Sequence, residues 1–166
     1  MEPKGKLGDA WDMECFTDSD WASDSVTRRS ISGYIIYVHG VPICWRSKAQ
    51  RAITLSSTEA EWYSLLEGVK DVIFLSQLIE SMCIHVTLPI KVRIDNIGAI
   101  FMSENASASA RTKHVDIRSK YVREYAINGV LKIIFVHSDE NDSDIMTKNL
   151  GSDLHTRHAA KLIGSK

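Results

Sequence analysis

Apolar residues recur along the chain with two different periods, and each change of period marks an element. Across residues 14–21 a short apolar run ends in acid, hydroxyl, acid and tryptophan, the pattern of a strand closing on Asp18 and Asp20. Ser32-Gly33 then introduces residues 34–38, rich in β-branched and aromatic side chains, and His39-Gly40 turns the chain back through 41–45; the opening reads as an antiparallel meander. At Ser56-Ser57-Thr58-Glu59 the period lengthens. The Ser56-to-Glu59 spacing is that of a capping box, and apolar positions at helical intervals predict a long helix reaching Ile79. Pro89 restarts an alternating strand over 90–95, with Ile90, Val92 and Ile94 on one face. The pattern then predicts a short helix over 96–103, a small-residue loop over 106–110 and a helix over 113–127 stopped by Asn128-Gly129. A strand over 130–136, a helix over 141–148 and a tail of undecided type complete the chain. This order suggests an α/β mixed sheet covered by helices, an architecture in which distant strand ends meet.

Four acids stand where such ends gather. Asp18 and Asp95 close strands, Asp144 lies in the polar run 138–144, and Glu61 rides on the long helix. At about 100° per residue, Leu65, Val72 and Ile79 lie within roughly 40° of Glu61, so this acid sits in the apolar stripe. Glu59, about 160° away, is explained by the capping box. Each acid alone has a bland alternative: Asp18 and Asp20 as solvated turn residues, Glu61 as a helix-end acid, Asp95 as an N-cap, Asp144 as an acid at a helix N-terminus. Together those alternatives lose force. A buried carboxylate persists only when hydrogen-bonded, paired or bound to a cation, and an all-oxygen set without Cys or His at ligand spacing selects magnesium or manganese over zinc.

With 166 residues and 44% hydrophobic content, the chain has room for one packed domain. Twenty basic against 21 acidic residues give a net charge of −1, so any surface for nucleic acid has to be local. One segment qualifies: Arg111, Lys113, Arg118, Lys120 and Arg123 stand against a single acid, Asp116. Arg28, Arg29, Lys48 and Arg51 form a weaker group. The three cysteines, widely spaced and without a Cys-x-x-Cys pair, argue against a disulfide framework or zinc knuckle and fit a reducing, intracellular setting. No apolar run reaches bilayer-spanning length, and the first residues carry no signal-peptide pattern. His114 and His137 read as hydrogen-bonding groups rather than general bases. His155 and His158, three residues apart, lack the further ligands zinc requires.

Six segments, in order, carry a family resemblance: Phe16-Thr17-Asp18-Ser19-Asp20-Trp21-Ala22, Arg28-Arg29-Ser30-Ile31-Ser32-Gly33-Tyr34, Leu55-Ser56-Ser57-Thr58-Glu59-Ala60-Glu61, Ile94-Asp95-Asn96, Arg111-Thr112-Lys113-His114-Val115-Asp116-Ile117-Arg118 and Ser143-Asp144-Ile145-Met146-Thr147-Lys148. They resemble the ribonuclease H domain of copia-type LTR retrotransposon Pol polyproteins. The resemblance spans residues 14–150, leaving 1–13 as a leader or linker and 151–166 as a C-terminal tail. It implies a ribonuclease H-like fold, a five-stranded mixed sheet flanked by helices, and hydrolysis of the RNA strand of RNA–DNA hybrids during reverse transcription. Two Mg²⁺ ions, with Mn²⁺ able to substitute, are the implied cofactors. Carried over by position, the catalytic and metal-binding residues are Asp18, Glu61, Asp95 and Asp144, with Asp18 bridging both ions. The implied nucleic-acid contacts are Arg28, Arg29, Asn96, Arg111, Lys113, His114, Arg118, Lys120 and Arg123. Ile97 stands where the family usually has Gln, Trp62 where Tyr is common and Ser143 where Ala is common. A reverse transcriptase domain of the same polyprotein is an expected partner, a membrane is not, and the expected location is the cytoplasm or a retrotransposon particle. The rival reading is a non-catalytic nucleic-acid-binding or tethering module of the same fold, which need not keep all four acids. An integrase or transposase would use three acids, and the Arg-Thr-Lys-His and Thr-Lys segments weigh against it.

Overall fold

The computed structural model describes residues 10–99 and 113–163, and within these the side chains of all but 113–119. Five strands form one sheet in the order β3-β2-β1-β4-β5. The strands are β1 Met13–Asp20, β2 Ile31–Val38, β3 Val41–Ala49, β4 Ile90–Ile94 and β5 Leu131–Phe135. The first three are an antiparallel meander, whereas β4 joins β1 and β5 joins β4 in parallel. The expected mixed sheet is therefore the observed one. His39 and Gly40 both take positive φ (50° and 74°), the two-residue hairpin geometry whose twist matches the flanking strands.

The parallel pairings require crossovers. Helix α1, Ser57–Ser81, carries the chain from β3 to β4, and α2, Lys113–Ile127, lies between β4 and β5. Ser56 caps α1 by accepting from the Glu59 N–H at 3.1 Å, while the Glu59 carboxylate accepts from the Leu55 N–H at 2.7 Å rather than from Ser56. Past α2, Gly129 (φ 70°) lets Val130 N–H reach the Tyr125 carbonyl and Gly129 N–H the Ala126 carbonyl, the pairing that closes a helix at a left-handed residue.

The apolar stripe of α1, including Leu65, Val69, Val72 and Ile79, packs on Cys15, Tyr34, Ile36, Val92 and Ile94 of the sheet. The opposite face is thinner: Phe16, Ile35, Tyr37 and Val136 are covered by Ile145, Met146 and Leu162 from the C-terminal segment. Residues outside 14–150 also join the body. Trp11 bridges Val86, and residues 152–163 form a helix, α3 (Ser152–Ile163). Its His158 is fully buried, donating to or accepting from Asp142 at 3.0 Å, while Lys161 donates to the same carboxylate oxygen at 2.7 Å.

The helix expected over 141–148 is instead two short 3₁₀ turns, Ser138–Glu140 and Asp142–Met146. Asn141 shows why. Its side-chain oxygen accepts from Ser143 N–H and hydroxyl (3.3 and 2.6 Å), and its amide donates to the Thr17 carbonyl at 3.0 Å. Short polar side chains that bond nearby backbone groups offer the chain an alternative to the helix. Of the helix expected over 96–103, helical backbone begins at Ile97 and the remainder lies outside the described residues, as does the loop over 106–110. No described helix is long and apolar enough to cross a membrane.

Helix α1 comes close to the sheet at Gly68, where an added Cβ would lie 2.8 Å from Thr17 Cγ2 and 3.2 Å from Cys15 Sγ. Gly68→Val is expected to lower stability by about 1–3 kcal/mol, the usual cost of overpacking a core. Urea denaturation at a fixed metal concentration measures it; a variant as stable as the parent would show that the helix–sheet spacing yields freely.

Candidate active site

The site forms where β1 outruns β4. Thr17 is the last β1 residue paired with β4, and the backbone beyond it is held by side chains. The Ser64 hydroxyl donates to the Asp18 carbonyl at 2.6 Å and contacts that of Gly33 at 3.0 Å, while Asn141 holds the Thr17 carbonyl. The Asp18 side chain is thereby fixed with no solvent exposure. Glu61 enters from the second turn of α1. Its Oε1 accepts from both the N–H and the hydroxyl of Ser19 at 2.9 Å, whereas its Oε2 is out of solvent and has no hydrogen-bond partner among the described residues. Asp95 follows β4 directly and is half-buried. Asn96, not Asp95, caps the turn that begins there, accepting from Ala99 N–H at 3.1 Å, which leaves the Asp95 carboxylate available.

Asp18, Glu61 and Asp95 each present an oxygen within 4.8 Å of the others. Asp144 reaches the group differently. It lies buried in the second 3₁₀ turn and shares a cation with Asp18: the Lys148 ammonium is 2.9 Å from Asp18 Oδ1 and 3.1 Å from Asp144 Oδ1. The Thr147 hydroxyl donates to the other Asp18 oxygen, and the Ser138 hydroxyl to Asp144 Oδ2 at 3.4 Å. This close passage of 143–147 over β2 depends on Gly33, where a Cβ would meet Thr147 Cγ2 at 2.6 Å and Met146 Cβ at 2.7 Å.

The electrostatics follow from the crowding. Burial, then repulsion by Asp18 and Asp95, raises the Glu61 carboxyl to about 9. Asp144 is pushed to about 7 by burial and by Asp18, with Lys148 opposing, and Asp95 is raised for the same reasons. Burial works against the Lys148 charge, but Asp18 and Asp144 outweigh it and hold the ammonium protonated well above the usual lysine range. Three convergent carboxylates with an unpartnered buried oxygen form a donor set that suits a hard divalent cation.

The expected nucleic-acid residues are more scattered. Arg28 and Arg29 are exposed in the β1–β2 loop, beyond the end of β1 that carries the acids. Lys120 is exposed on α2. Arg123 is half-buried, its Nε and one terminal nitrogen out of solvent. Asn96 spends its oxygen on the cap. Arg111, and the side chains of Lys113, His114 and Arg118, lie outside what the structure describes. His137 is exposed, its ring edge-on to Phe135; His155 is exposed while His158 is committed to Asp142. Sequence reasoning gave no role to Ser19, Ser64, Ser138, Thr147 or Lys148. Only Lys148 carried a local signal, as a base four residues after an acid.

No family model matches the chain. It is 31% identical, over 95% of its length, to the retrovirus-related Pol polyprotein from transposon RE1 of Arabidopsis thaliana. It is 36% identical, over 82%, to that from transposon TNT 1-94 of Nicotiana tabacum. The chain spans only 11% and 10% of those relatives' lengths. Among solved structures, LC11-RNase H1 in complex with RNA/DNA hybrid superposes with a TM-score of 0.59 at 14% identity, covering 82% of this chain and 94% of that one. Sheet order, convergent acids and these likenesses agree: the chain belongs, over most of its length, with a segment of the copia-type, retrovirus-related Pol polyproteins, and has the ribonuclease H fold.

Proposed function

We propose that the chain is a divalent-metal-dependent endonuclease that hydrolyses the RNA strand of RNA–DNA hybrids. The observation that carries this reading is the meeting of Asp18, Glu61 and Asp95 within 4.8 Å, with one Glu61 oxygen buried and without a hydrogen-bond partner among the described residues. Mg²⁺ or Mn²⁺ would be held by Asp18, Glu61 and Asp95, with Asp144 across Asp18 from them; bound there, divalent ions supply activation of water and neutralisation of charge on the phosphate. The protein's part is to fix the oxygens in advance. Ser19 clamps one Glu61 oxygen, Ser64 and Asn141 pin the backbone around Asp18, and the Ser138 hydroxyl lies beside Asp95 and Asp144. Arg28, Arg29 and the basic residues of the α2 sequence bind phosphates of the hybrid, whose A-form-like shape and 2′-hydroxyls, rather than base edges, identify it. The polyprotein relatives support a source for such hybrids, a reverse transcriptase domain of the same polyprotein.

Purified chain incubated with labelled hybrid and Mg²⁺ is expected to cut RNA only, with no cutting in chelator; Asp18→Asn and Glu61→Gln are expected to abolish cleavage, and Glu59→Gln to retain it. Equal cutting of duplex DNA, or full activity in Glu61→Gln, refutes the assignment.

The raised Glu61 carboxyl gives a pH signature for the metal-free chain. From its ordinary value of 4.5 to about 9, the folded protein keeps a proton that the unfolded one releases, so stability falls as pH rises through that window. Glu61→Gln removes this contribution and, at pH 7, is expected to gain on the order of 1–3 kcal/mol while losing activity. Urea midpoints of both proteins across pH 5–9 test it; parallel profiles would contradict the burial of this carboxyl.

Phosphate contacts are separable from the chemistry. Lys113→Ala with Lys120→Ala is expected to raise KM for hybrid, leave kcat within a few-fold and reduce the slope of log affinity against log salt by up to about 2. An unchanged slope shifts the binding surface to Arg28 and Arg29.

A further inference from the structure

The position between Asp18 and Asp144 already holds a positive charge. Lys148 Nζ lies 2.9 Å from Asp18 Oδ1 and 3.1 Å from Asp144 Oδ1, so one ammonium bridges the two carboxylates that a second divalent ion would have to share. Asp18 is fully buried, whereas the Lys148 side chain is 31% exposed. The anchor is therefore fixed and the cation is the part with a way out. Lys148 follows the second 3₁₀ turn, and its own N–H is tied to the Asp144 carbonyl at 2.9 Å. That tie keeps its backbone beside the site whichever way the four-carbon stem points. An ammonium and a divalent ion repel strongly at such range, so Asp18 Oδ1 cannot serve both at once.

We propose that Lys148 is a tethered counter-cation for the Asp18–Asp144 subsite, and that metal loading there is an exchange of one cation for another. The inference rests on the nuclease reading of the site. In the metal-free chain the ammonium offsets the mutual repulsion of the acids and keeps Asp144 assembled against Asp18. Loading then proceeds unevenly. The Asp18–Glu61–Asp95 side, with its unpartnered Glu61 oxygen, is open to a first ion, while the Asp144 side becomes available when Lys148 leaves. Phosphate entering with the substrate favours that departure, because it offers the displaced ammonium a new anionic partner. Lys148 is a positioning residue on this account: it governs occupancy of the site through Asp18 and Asp144.

The test compares Mg²⁺ binding alone, without nucleic acid, in the parent chain and in Lys148→Met, Lys148→Arg and Lys132→Met. Lys132 is exposed on β5 and controls for the loss of one positive charge. Affinity is read by calorimetry and by the Mg²⁺ dependence of the urea midpoint, the second of which also serves a variant that folds only with metal. The parent is expected to take up one ion. Lys148→Met is expected to take up two, with overall affinity at least tenfold tighter, and to have a lower urea midpoint than the parent when metal-free but not when Mg²⁺-saturated. Lys148→Arg keeps the charge and is expected to bind like the parent; Lys132→Met is expected to change affinity less than threefold. Equal stoichiometry and affinity in the parent and Lys148→Met, or an equal gain in Lys132→Met, overturns the exchange. If hybrid cleavage by the parent is intact in that case, the nuclease reading stands; if the parent neither binds Mg²⁺ nor cleaves, both fall.

Discussion

A carboxylate with no access to water, facing three others, is the constraint around which this fold is arranged. Asp18 sits at full burial, and nothing in an apolar interior would hold it there as an anion without compensation. The compensation comes from residues at the far end of the sequence. Thr147 and Lys148 occupy one oxygen each, and the backbone on either side is fixed by Ser64 and Asn141. The cluster is thus electrostatically strained and mechanically rigid together, as the proposed metal site requires of acids fixed in advance.

The strain reaches outward through the C-terminal segment. Asp144, Thr147 and Lys148 belong to a short polar stretch with little helical structure of its own, so its position has to be imposed by neighbours. Asp142 imposes it from one side, receiving Tyr37, His158 and Lys161; Gly33 permits it from the other by presenting no side chain. Helix α3 therefore acts as a brace. Its buried His158 reaches the clustered acids through Asp142, two residues from Asp144, and by that indirect path a tail without motif residues bears on the site.

What sequence could reveal was what periodicity and local chemistry encode. The phasing that put Glu61 on the stripe of Leu65, Val72 and Ile79 matches their common burial, and the Ser56 cap and the His39-Gly40 turn lie where local rules place them. The positions of Asp18 and Asp95 at strand ends were legible for the same reason. The 141–148 region was not, because its conformation depends on Asn141 bonding to Thr17, 124 residues away. Asp142 was indistinguishable from its acidic neighbours in 138–144, since only the fold brings Tyr37 and α3 to it. Lys148 was visible as part of a motif, yet its partner Asp18 is 130 residues distant, beyond the reach of any helical spacing.

That separation also orders events in time. Chains emerge from the ribosome N-terminus first, at about 5–20 residues per second, so several seconds pass between the synthesis of Asp95 and that of Asp144. During that interval β1, α1 and β4 can pair while Asp18, Glu61 and Asp95 lack both Lys148 and the Asn141 clamp. A nascent chain consequently passes through a state in which Asp18, Glu61 and Asp95 are present but their brace is not, and the stretch 141–148 decides whether the site closes. A chain that stops short of that stretch would hold Asp18, Glu61 and Asp95 without the segment that locks the first strand.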